Sequence, residues 1–213
     1  MAALMVVTMA VHPGRRIDKL AARGSNVSPK GSFDMRSALA LLAVAVGFGP
    51  AQGAEVVWLE AEQFAHAGGW INDAQFVDQM GSPYLLATGM GVPVKDATTK
   101  VTAPKPGKYR LWVRTKDWAP KHHPGQFRIL IGGRAVDHVF GRSSKAGWIW
   151  EDGGVIDLRG ETTVALHDLT GYYGRCDAII LTTDLDWTPP DEPKAVAALR
   201  SQLGGVSATV KDM

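Results

Sequence analysis

One cysteine, Cys176, stands in a chain of 213 residues, which excludes an internal disulfide. A folded domain without that staple must rely on its apolar core, on a bound metal ion, or on both. Long hydrophobic runs are missing too. The run from Ala38 to Phe48 is about half the roughly 20 residues that a membrane-spanning helix needs. A basic patch is also lacking. Six of the 23 Lys and Arg and two of the 21 Asp and Glu fall in residues 1–54, which leaves 17 basic and 19 acidic residues and a net charge of −2. That balance offers no electrostatic footprint for nucleic acid.

The short apolar run has a particular setting. Arg36 precedes it, Gly49-Pro50 breaks it, and small residues follow to Ala54. This is the layout of a secretory signal peptide over residues 35–54, with cleavage after Gly53 or Ala54. Residues 1–34 are polar and irregular, and we read them as an extension from a start codon placed too early. The expected product is secreted or periplasmic, with no membrane span after signal cleavage. About 159 residues then remain, enough for one domain with its own core.

From Val56 onward the pattern is of short strands and turns. In "GKYRLWVRTK", Tyr109, Leu111, Val113 and Thr115 alternate with Arg110, Trp112, Arg114 and Lys116. "GQFRILIGGRAVDHVFG" reads as a hairpin turning at Gly132-Gly133. "GGVIDLRGETTVALHDL" reads as two strands about Arg159 to Glu161, and "CDAIILTTD" as a mostly apolar last strand. Strands at such spacings predict an all-β jelly-roll sandwich over residues 55–186. Residues 187–213 open Pro-rich and predict a short helix from Lys194 to Leu203, stopped by Gly204-Gly205. Glu60 and Glu62, two apart in "EVVWLEAEQF", are expected on one face of a first strand. Such a pair faces either water or something positive.

In order along the chain, "LEAEQF", "PGKYRLWVR", "RILIGGR", "TTVALHD" and "CDAIILTTD" resemble the galactose-binding-like carbohydrate-binding modules over roughly residues 56–184. The stretches from "GGWINDAQFVDQMG" to "LHDLTGYYGRCDAI" are similar to the N-terminal accessory domain of secreted bacterial FAD-dependent oxidoreductases. The resemblance implies a non-catalytic glycan-binding module, or else an accessory domain that docks on a FAD-dependent oxidoreductase domain and binds no sugar. Residues 55–213 hold no Gly-x-Gly-x-x-Gly between a strand and a helix, so no flavin is expected in this chain.

The same resemblance implies a structural calcium ion held by Glu60, Glu62 and Asp177; Asp73, Asp78, Asp152 and Asp168 are alternative carboxylates in their place. Sugar recognition needs aromatic faces with polar groups at the rim. Trp118, Tyr172, Tyr173 and Arg175 lie in two polar loops and are the candidate ligand-binding residues. Trp58 and Trp112 are expected in the core. His122 and His123 read as a solvated loop, and Cys176 as a buried thiol. His167-Asp168 reads as a strand-end turn, against the alternative of a small hydrolase that would use His167 with a carboxylate.

Overall fold

A computed structural model describes residues 49–51 and 53–203. The expected extension over 1–34 lies outside the described residues, as do most of the expected signal peptide and the chain after Leu203. No described helix is long and apolar enough to cross a membrane.

The fold is an all-β jelly-roll sandwich of two antiparallel sheets. The first sheet contains β1 (Val56–Glu60), β2 (Trp70–Asp73), β3 (Tyr84–Ala87), β5 (Gly107–Lys116), β8 (Trp148–Leu158) and β10 (Arg175–Thr182). Its order is β2-β3-β10-β5-β8, and β1 shares with β3 the edge of β10 that β5 leaves free. The second sheet is β4-β9-β6-β7, with β4 at Ala97–Thr102, β6 at Phe127–Ile131, β7 at Arg134–Ala135 and β9 at Glu161–Asp168. Helix α1 (Val77–Met80) precedes β3, and helix α2 (Pro193–Leu203) follows the last strand.

Alternation along the strands sorts the side chains. Val57, Leu59, Tyr109, Leu111, Val113, Ile179 and Leu181 face Val101, Phe127, Ile129, Val164 and Leu166 of the other sheet. The hairpin at Gly132-Gly133 forms as the sequence predicts, with Leu130 opposite Ala135 and Ile131 opposite Arg134. Strands β8 and β9 are consecutive, yet β8 pairs with β5 while β9 pairs with β4 and β6, so the chain crosses between sheets at Arg159-Gly160.

Trp58 and Trp112 are buried, but not between the sheets. With Trp150, Ala178 and Ile180 they form a second cluster on the outer face of the first sheet, covered by Val196 and Leu199 of α2. The helix therefore spends its apolar stripe on its own domain. A third cluster contains Met80, Tyr84, Leu86 and Trp148, with Phe76 and Tyr173 packed against it.

Candidate functional site

Three loops meet at one end of the sandwich: 88–96, 117–126 and 169–174. Asp168 organises their junction. Its buried carboxylate accepts hydrogen bonds from the backbone N–H of Val94, Thr170 and Gly171. The Thr170 hydroxyl donates to the Pro124 carbonyl at 2.5 Å. A short polar side chain bonding its own backbone two and three residues on fixes a tight turn. Asp168 is thus the strand-end turn residue expected, and its neighbour His167 pairs with Asp96 at 2.9 Å.

That turn carries Tyr172 and Tyr173 to Trp118. The Trp118 indole N–H donates to the Tyr172 carbonyl at 3.3 Å. The Trp118 and Tyr173 rings meet edge to face at 5.4 Å, and the Arg175 guanidinium lies 5.5 Å over the Trp118 ring. Arg175 also donates to the Tyr173 carbonyl at 2.9 Å. All four candidate ligand-binding residues are therefore brought together. Trp118 and Tyr172 are 40% and 47% exposed, while Arg175 is buried beneath them.

Sequence reasoning missed two members of this surface. Met90 and Val92, 73% and 68% exposed, extend it across the neighbouring loop, and the Tyr173 hydroxyl lies 3.5 Å from Met90 Sδ. It also missed Asp117, a buried carboxylate that holds His123 Nδ1 at 2.6 Å and the Ser144 N–H at 3.1 Å. His122 is exposed, as expected, but His123 is tied down by this contact. Among the described residues, the non-glycine positions with positive φ are Met90, His123, Ser144 and Tyr173; three lie in these loops, and Ser144 is bonded to one of them through Asp117. Backbone strain of this kind gathers where the surrounding structure holds a site in place.

Glu60, Glu62 and Asp177 form a separate constellation on the outer face of the first sheet. β1 ends at Glu60, and Ala61–Gln63 make a single 3-10 turn, so the strand periodicity that was to align the two glutamates stops between them. A register shift between Cys176 and Ala178 leaves Asp177 outward beside the outward-facing Ala178. The positive partner is protein. Arg114 donates to Asp177 at 2.7 Å, and Arg200 of α2 donates to Glu60 at 2.7 Å and to both Asp177 oxygens at 3.1 and 3.2 Å. Ser82 adds a hydrogen bond to Asp177 at 3.0 Å. Among the described residues, no group of three or more His, Cys, Asp or Glu is placed to hold a metal ion.

Glu60 keeps one oxygen, Oε2, buried without a hydrogen-bond partner among the described residues, and so does Glu62. Burial pushes the Glu62 carboxyl up to about 7, with the nearby Glu60 and Asp177 charges adding to the rise and Arg200 opposing it. Folded Glu62 therefore keeps its proton above the pH at which unfolded Glu62, ordinarily 4.5, has lost it. The native state binds the extra proton, so this group's contribution to stability is full below pH 4.5 and is lost as pH rises through about 7. Glu62→Gln is expected to flatten that fall and to be the more stable protein at pH 8. Urea midpoints at pH 5, 6, 7 and 8 check it, and equal slopes in the two proteins would refute it.

Cys176 points into the sandwich core and is buried, and burial raises its thiol well above the ordinary range.

No family model matches the chain, and no curated protein matches it either. Among solved structures it is similar to a family 35 carbohydrate binding module from Clostridium thermocellum, at 19% identity over 60% of this chain and 97% of that one, with a TM-score of 0.49. It is similar to the C-terminal CBM6 of LamC, a marine laminarinase from Zobellia galactanivorans, at 13% identity over 61% and 100% of the two chains, with a TM-score of 0.46. It is similar also to the Podospora anserina GH26-CBM35 β-(1,4)-mannanase, at 21% identity over 65% of this chain, with a TM-score of 0.47. Of that enzyme's length it spans 29%.

Proposed function

We propose that this chain is a non-catalytic glycan-binding module that acts outside the cytoplasm, with its site at the loop end formed by Trp118, Tyr172, Tyr173, Arg175 and Met90. The observation that carries the reading is the exposed aromatic pair, with Tyr172 held on a turn locked by a buried Asp168 and Trp118 hydrogen-bonded to the Tyr172 carbonyl from the neighbouring loop. An aromatic face left partly in water and prevented from collapsing suits the C–H faces of a sugar ring, and its free rim suits the hydroxyls. The ring is braced from below by Arg175 and from the side by Tyr173, so little freedom is lost when a glycan docks.

Native affinity electrophoresis of the purified protein through gels containing a panel of polysaccharides tests this. Retardation by one glycan class is expected. Trp118→Ala and Tyr172→Ala are each expected to weaken it about tenfold or more, on the scale of ~1–2 kcal/mol for one lost aromatic contact. A folded protein retarded by none of the panel, or variants retarded like the parent, would sink the proposal. The alternative of a docking domain for a FAD-dependent oxidoreductase would use an exposed apolar patch on the tail helix. Val196 and Leu199 are instead buried on the domain's own tryptophans.

A further inference from the structure

The carboxylates of Glu60, Asp177 and Glu62 bring together the end of the first strand, the last strand and the turn between them. A cation is needed there, because like charges so close and so little hydrated repel strongly. Two are present: Arg114 faces Asp177 from β5, and the second comes from the helix. Arg200 reaches in from α2, 140 residues from Glu60 in sequence, and is only 15% exposed. Its Nε donates to Glu60, one terminal nitrogen donates to the Met80 carbonyl at the end of α1, and the other is shared between the two Asp177 oxygens. Its plane also lies 5.5 Å over the Trp58 ring. A single guanidinium thus ties four segments of chain together.

We infer that Arg200 is the structural cation of this domain: a guanidinium carried by the terminal helix takes the place a calcium ion would occupy, and the sandwich closes without metal. Calcium takes six to eight oxygens at about 2.3–2.6 Å. Here Glu60 Oε1, both Asp177 oxygens and the Met80 carbonyl are engaged by nitrogen donors, and Arg114 faces Asp177 from β5. A divalent ion would meet two fixed positive charges at a distance of a few ångströms, so it does not fit while Arg200 is in place. The arrangement has a second consequence. The second charge that balances the cluster is also the one that fastens α2 over Trp58, Trp112 and Trp150, so completing the neutralisation of the carboxylates and covering the outer face are a single event.

The test is a set of thermal melts of the full chain, alone, with chelator, and with millimolar calcium chloride. The parent protein is expected to carry no stoichiometric calcium by elemental analysis and to melt at the same temperature in all three. Arg200→Ala is expected to melt about 10 °C lower, the scale for breaking a buried charge pair in a domain of this size. Calcium should then raise the variant's melting temperature by several degrees, because the vacated oxygens can bind it and binding to the native state stabilises it. Arg200→Lys, which keeps the charge but cannot fork between Glu60 and Asp177, should fall between the two and respond less to calcium. If Arg200→Ala does not fold, Arg200→Lys and the chelated parent carry the comparison. A parent that loses stability on chelation or holds stoichiometric calcium would overturn the inference. So would an Arg200→Ala that melts like the parent, or one that is destabilised and indifferent to calcium.

Discussion

Asp177→Ala is expected to remove about 3–5 kcal/mol of stability, a large share of the roughly 5–15 kcal/mol that holds a domain folded. Asp177 is fully buried and receives Ser82, Arg114 and Arg200. Arg114 is itself 2% exposed. Removing the carboxylate strands that guanidinium as an uncompensated buried charge, which costs far more than the pair gives when intact. Adding Arg114→Met to Asp177→Ala should recover part of the loss, since an apolar side chain has no charge left to desolvate. The contrast is Lys100–Glu161, a pair at 2.9 Å with side chains 71% and 58% exposed. Lys100→Ala is expected to stay within about 0.5 kcal/mol of the parent. Urea unfolding of the four proteins decides it, and an Asp177→Ala within 1 kcal/mol of the parent by that measurement would show that Arg114 finds another partner or water (taking about 1 kcal/mol as the ordinary effect of a point mutation).

Gly171→Ala should be the second severe change, and it should strike the glycan surface as well as the fold. Gly171 has φ of +68°, and a Cβ there would stand 2.3 Å from the Val92 carbonyl oxygen and 2.6 Å from its carbon and nitrogen. These are backbone atoms and cannot swing away, so the 88–96 loop or the 169–174 turn must move. Gly133→Ala isolates the conformational part of the cost. Its φ is +81° but a Cβ there meets nothing within 4 Å. About 1 kcal/mol is expected at Gly133, and roughly 3 kcal/mol or more at Gly171. Displacing the turn also displaces Tyr172 and Tyr173, so Gly171→Ala should lose polysaccharide retardation while Gly133→Ala keeps it. Equal melting temperatures and equal retardation in the two variants would show that the loops yield without consequence.

Strand identity needed only local periodicity. Tyr109, Leu111 and Val113 had to face one way and Arg110, Trp112 and Arg114 the other, because successive side chains leave a strand on opposite faces. The Gly132-Gly133 turn, the apolar final strand, the helix of the tail and the loop setting of Trp118, Tyr172 and Tyr173 were legible for the same reason, whereas Arg175, expected in a loop, is the buried first residue of β10. Tertiary structure alone decided what those faces meet. Trp58 and Trp112 alternate like core residues, and nothing local distinguishes burial between two sheets from burial under a helix that arrives after residue 190. The carboxylates of Glu60 and Asp177 announced a need for positive charge, but a guanidinium 140 residues away and a bound ion satisfy that need equally in a sequence. Positive φ at Met90, His123 and Tyr173 leaves no mark on residue type, since strain is imposed by neighbours and not chosen by the strained residue. Alternation and turns are properties of a few adjacent residues, whereas partners of charge and the covering of a face are set by which distant segments the closed sandwich brings within reach.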